Sequence, residues 1–71
     1  MTIKFSKHAQ ERCLERHIND QEVKSILLKK KADQIIATLG EAIIRDRVKG
    51  KMLNIVVSGT IATITVITVY C

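Results

Sequence analysis

The chain contains no proline and no tryptophan, one phenylalanine, one tyrosine, three glycines and two cysteines. Each scarcity removes a class of protein. Two cysteines cannot supply the disulfide framework that small secreted domains use in place of a large core. Phe5 and Tyr70 are too few rings for a platform on which successive single-stranded bases stack. With no proline, no low-complexity stretch and no internal repeat, nothing marks a linker between domains. No apolar run approaches the ~18 residues that span a bilayer. The nearest candidate, Ile61–Tyr70, is short and carries three threonines. The opening residues Met1–His8 hold lysines where a secretory signal needs its apolar stretch. These exclusions point to a cytoplasmic globular domain with free thiols and no membrane partner.

What is present is basic and apolar together. Seventy-one residues make a single domain, 1–71, of a size that buries only roughly 60% of its unfolded surface. Twelve Lys and Arg against seven Asp and Glu give a net charge of +5. That balance favours a polyanionic partner such as RNA. Hydrophobic residues at 46% are too many for a disordered basic tail.

Patterning divides the chain into a helical half and a strand half. Thr2–Phe5 reads as a short extended segment able to join a sheet edge. Ser6 then offers an N-cap hydroxyl for a helix to about Arg16, with Ala9, Cys13 and Leu14 at near-helical spacing. Asn19 and Glu22 match a capping box for a second helix, Asp20 to about Lys30, burying Val23, Ile26 and Leu27. His17 and Ile18 link the two. From Gln34 the texture turns β-branched, and Gln34–Leu39, Ala42–Val48, Lys51–Ser58 and Ile61–Tyr70 read as four strands. Gly40-Glu41, Lys49-Gly50 and Ser58-Gly59 mark the turns. The expected architecture is α+β, two helices on one face of a four-stranded antiparallel meander. The last two strands carry Ile and Val on both parities, so the uncovered face is expected to meet a partner or a second copy in a homo-oligomer.

The first helix also carries His8, Arg12 and Arg16 at intervals of four, which sets them in one continuous stripe. Two like charges at this spacing cost a few tenths of a kcal/mol on an isolated helix. An anion bound between them would reverse that cost. The Arg fork fits phosphate, and imidazole moves protons near neutrality. The plainer reading of such residues, laced with Glu11 and Glu15, is a solvated face. Cys13 reads as a small buried hydrophobe and Cys71 as a loose thiol. His8, Cys13, His17 and Cys71 have no workable metal-ligand spacing, so neither metal nor cofactor is expected.

The segment Phe5-Ser6-Lys7-His8-Ala9-x-x-Arg12-x-x-Glu15-Arg16-x-Ile18, with the closing Ile67-Thr68-Val69-Tyr70, resembles a small family of bacterial and phage domains. That family looks like a reduced member of the RelE-like superfamily of ribonuclease toxins, which also groups barnase, EndoU and colicin-type nucleases. The resemblance spans nearly the whole chain. One departure is His17, where the family usually has glycine; histidine tolerates a left-handed turn better than most residues. Another is the lack of a helix beyond the sheet. The resemblance implies a toxin of a toxin–antitoxin or mobile-element system, a metal-independent endoribonuclease in which the ribose 2′-OH attacks phosphate. It makes His8 the general base or acid and Arg12 with Arg16 the phosphate clamp. Tyr70 would donate a proton or stack on a base, and Thr68 would hydrogen-bond a phosphate oxygen. Its partners would be RNA and a cognate antitoxin. The alternatives are a non-catalytic module that binds nucleic acid or antitoxin, and an oligomeric assembly protein.

Overall fold

In the computed structural model, which describes residues 2–60 and 62–70, seven elements follow one another. They are β1 (Thr2–Phe5), α1 (Lys7–Glu15), α2 (Asp20–Lys29), α3 (Ala32–Leu39), β2 (Glu41–Val48), β3 (Lys51–Gly59) and β4 (Thr63–Tyr70). Ile61 and Cys71, expected as a strand start and a free thiol, lie outside the described residues. The four strands form one sheet in the order β1-β4-β3-β2.

Local chemistry starts and stops the first two helices as expected. The Ser6 hydroxyl oxygen accepts the Ala9 N–H at 3.1 Å and caps α1. At the other end His17 adopts φ 56°. The His17 N–H bonds the Leu14 carbonyl and the Ile18 N–H bonds the Cys13 carbonyl, the paired closure of a Schellman turn. Asn19 caps α2 by accepting the Gln21 N–H at 2.8 Å. The expected reciprocal capping box does not form: Asn19 caps through Gln21 and not Glu22, and the Glu22 carboxylate lies 3.7 Å from Lys49 Nζ. Lys49 and Gly50, at φ 52° and 81°, make the two-residue loop that joins β2 to β3.

Three expectations need correction. Gln34–Leu39 is helical, within α3, and not a strand; Ala32 and Ile36 are buried one turn apart and Ile35 packs beside them. The β-branched texture of this segment yields to an apolar face of helical period laid on β2. The helix layer therefore has three members. The fourth strand is instead β1, and it pairs with β4 in parallel, Thr2 to Thr63 through Phe5 to Val66, so the sheet is mixed. The helices and the β2–β3 hairpin return the chain to the same end of the sheet before β4 begins, which makes β1 and β4 run alike.

The third correction concerns the two apolar parities. On β3, Leu53, Ile55 and Val57 are buried, while Met52 and Val56 face the other side. On β4 the pairing slips: Val57 meets Val66 but Val56 meets Thr68, leaving Ile67 as a bulged residue. The bulge switches parity, so Ile64, Val66 and Val69 all reach the core. Double-parity apolar residues on β4 thus mark a bulge and not burial on both faces. Gly59, at φ 136°, precedes this strand; a Cβ there would collide with the Thr63 carbonyl.

One core fills the space between the helices and the sheet: Ala9, Cys13, Val23, Ile26, Leu27, Ala32 and Ile36 meet Ile44, Leu53, Ile55, Val57, Ile64, Val66 and Val69. Full burial of a Leu, Ile or Val contributes roughly 1.5–3 kcal/mol each, which offsets the ordering entropy of so short a chain. Among the described residues no helix lies on the opposite face. Ile43, Met52 and Tyr70 stand 48%, 47% and 40% exposed.

Candidate nucleic-acid interface

α1 begins where β1 ends, and Ser6 fixes that junction from three sides. Besides capping the helix, its N–H donates to the Val66 carbonyl at 2.9 Å and its hydroxyl donates to the Ile67 carbonyl at 2.7 Å. These bonds dock the start of α1 against the bulge in β4. Ala9 and Cys13 turn inward, so His8, Arg12 and Arg16 form the flank of the same helix.

The stripe is a contact as well as a pattern. Arg12 Nε donates to His8 Nε2 at 3.4 Å, and Arg12 lies 3.4 Å from a Glu15 carboxylate oxygen. Arg12 is thus held between an imidazole and a carboxylate and is only half-exposed. An imidazole that accepts at Nε2 carries its proton on Nδ1 when neutral. An anion drawing the guanidinium toward itself would free that Nε2 lone pair. Arg16 lies one turn on, exposed, and makes no ion pair among the described residues.

Arg16 opens onto a feature that sequence order conceals. A cleft of about 350 Å³ runs between the end of α1 and the β2–β3 hairpin, lined by Glu15, Arg16, His17, Glu22, Lys49 and Lys51. It adjoins a broader depression of about 770 Å³ bounded by Gln10, Cys13, Leu14 and Ile18. Lys51, and Lys49 in its pair with Glu22, continue the charged flank of α1 beyond its last turn. No local signal marks Lys49 and Lys51 as neighbours of Arg16, because only the sheet brings the hairpin under the helix.

Thr68 and Tyr70 belong to a different surface. The bulge sets them in the outward register of β4, opposite Val56 and Asn54. Asn54 Nδ2 donates to the Tyr70 carbonyl at 3.4 Å, and the same side chain accepts Arg45 Nε at 2.9 Å. No hydrogen bond joins Thr68 or Tyr70 to His8, Arg12 or Arg16 among the described residues. The five candidate residues therefore form two groups, a helix stripe and a sheet-face pair. β1 pairs no further than Val66, so among the described residues no strand lies beside Ile67–Tyr70 on that edge.

Cys13 is buried, and that burial, with Asp20 nearby, pushes its thiol pKa up. It stays a protonated core thiol, since the thiolate is the reactive form. Among the described residues no three His, Cys, Asp or Glu side chains gather in a metal-binding group, and no helix is long and apolar enough to cross a membrane.

The sequence profile described as "Domain of unknown function (DUF4258)" matches residues 5–71. No curated protein and no solved structure matches the chain.

Proposed function

The chain belongs to the DUF4258 family, and from its basic helix stripe we propose that it binds RNA in the cytoplasm and cleaves it as a RelE-like, metal-independent endoribonuclease of a toxin–antitoxin or mobile-element system. The observation that carries this reading is the 3.4 Å contact of Arg12 with His8 Nε2. It couples a phosphate-binding group to a proton acceptor. A phosphodiester drawn in by Arg12 and Arg16 would release Nε2 as it binds. Nε2 then takes the 2′-hydroxyl proton while the 2′-oxygen attacks phosphorus. The bond to the 5′-oxygen breaks, and that oxygen takes a proton from the imidazolium. The products are a 2′,3′-cyclic phosphate and a 5′-hydroxyl end. The two guanidinium groups stabilise the charge gathering on the pentacoordinate phosphate. Thr68 and Tyr70 stand on the open sheet face and take no part in this step. A cognate antitoxin would neutralise the stripe with acidic residues, and the uncovered sheet face is assigned to association.

The test is incubation of the purified chain with labelled RNA and analysis of the ends. Cyclic phosphate ends that persist in EDTA are expected, with His8→Ala slowing cleavage by ~10² to 10⁴. Intact RNA, or cleavage unchanged in His8→Ala, overturns the enzymatic reading.

A second reading is favoured by the outward register of Thr68 and Tyr70, which leaves His8 as the one proton-transfer group on the stripe. The chain would then bind nucleic acid or antitoxin without cutting. Binding would fall steeply with salt, and each phosphate-contacting Arg removed would lower the slope of log K against log salt by roughly 0.7 to 0.9.

A further inference from the structure

The face of the sheet that the helices leave open is organised in rows. Ile43, Val56 and Thr68 form a central row across β2, β3 and β4. Toward the hairpin follows Arg45, Asn54 and Tyr70. On the other side follow Glu41, Ser58, Thr65 and, across β1, Lys4. Apolar surface lies in the middle, and β2 carries Arg45 and Arg47 toward one end and Glu41 at the other. A lone apolar face of this kind invites uncontrolled association unless it is closed.

We infer that a second copy of this chain covers the open face, related by a two-fold axis that crosses the strands through the Ile43–Val56–Thr68 row. This rests on the association part of the reading above and not on RNA cleavage. The axis reverses each strand over its own copy. Ile43, Val56 and Thr68 each then meet themselves. The row one step to either side exchanges, so Arg45 faces the second copy's Glu41, Asn54 faces Ser58, and Tyr70 faces Thr65. On β2, β3 and β4 each polar group of these two rows gains a partner of matching chemistry and the central row is sealed, while Lys4 and the Arg47–Met52 row lie beyond the overlap. Arg45 is already oriented for this role, because its Nε is held by Asn54 at 2.9 Å and its two terminal nitrogens remain for a carboxylate.

The size of the face agrees. Three strands of eight or nine residues and the four-residue β1, about 4.8 Å apart, offer roughly 460 Å² per copy. The total of roughly 900 Å² lies at the low end for protein interfaces and suits a weak, concentration-dependent dimer. An isologous pairing also closes on itself, leaving no further copy of the patch to propagate.

The experiment is sedimentation equilibrium of the full chain from about 5 to 100 µM, with circular dichroism on every variant. A monomer–dimer equilibrium is expected. Glu41→Arg and Arg45→Glu should each weaken it by tenfold or more, since each sets like charges face to face. Together the two substitutions should restore it, which neither lost packing nor misfolding can do. Val56→Glu should give a folded monomer. A wild-type chain that stays monomeric at 100 µM overturns the inference. So does rescue of Glu41→Arg by Lys4→Glu in place of Arg45→Glu, since that pairing needs an axis along the strands. A monomer that still cleaves RNA would remove the dimer and leave the enzymatic reading standing.

Discussion

Val56 and Val57 are neighbours in sequence, identical in chemistry, and on opposite faces of β3. Val57 is fully buried beneath the helices, whereas Val56 is only partly covered on the open face. The difference between the two faces therefore lies in what is packed on them and not in the residue types used. The covered face is closed by Leu27, Val23 and Ile36 from α2 and α3 and by Ala9 and Cys13 from α1. The open face has the same β-branched texture in its middle and a rim of Arg45, Glu41 and Lys4. The open face is thus apolar in its middle and charged at its rim, whereas the covered face is apolar throughout.

The sharpest way to break this comparison is to truncate both valines. Val57→Ala should cost about 2.5 kcal/mol in urea denaturation, from lost transfer free energy and the cavity left behind. Val56→Ala should cost about 0.5 kcal/mol in the dilute protein. Equal costs would mean that the face assignment is wrong. A Val56→Ala penalty that grows with protein concentration would sharpen it, by locating the missing cover in another copy.

A smaller effect tests the helix layer that closes the covered face. His17 holds φ 56° at the turn between α1 and α2. A left-handed backbone disfavours any residue with a Cβ, so His17→Gly should stabilise the fold by about 0.5–1 kcal/mol. A thermal midpoint that falls instead would show that the imidazole contributes more at the cleft than its backbone costs.

The smallest effect lies at the rim between the faces. Asp46 accepts a hydrogen bond from Lys29 Nζ at 2.6 Å, tying β2 to the end of α2, and another from the Arg47 N–H at 2.8 Å. These contacts, Lys29 first, hold its carboxyl below the ordinary value of 3.8. The folded state thus binds this proton less readily than the unfolded chain. The stabilisation is complete above the unfolded pKa and is lost as pH falls through the lower folded value. Urea midpoints of the wild type and Asp46→Asn should therefore differ at about pH 6 and draw together as the pH falls through the lowered Asp46 pKa.

Much of the fold is legible residue by residue. Ser6, Asn19, His17 and the Lys49-Gly50 pair announce their caps and turns, because each acts on backbone groups within a few positions. Gln34–Leu39 misleads because Ile35, Ile36 and Leu39 satisfy a strand texture as readily as a helical face. Glu22 misleads because Lys49, remote in sequence, competes for its carboxylate. In the candidate site, the stripe of His8, Arg12 and Arg16 follows from spacing on one helix. Its extension to Lys49 and Lys51, and its separation from Thr68 and Tyr70, do not.

Short-range rules suffice for the helix ends, the hairpin and the alignment of three basic side chains, since hydrogen bonds and side-chain spacing within one or two turns set them. The parallel insertion of β1 beside β4, the helical state of residues 32–39 and the bulge at Ile67 belong to the assembled domain. They depend on which apolar surfaces can be buried together, a quantity that no segment holds until the sheet and helices meet.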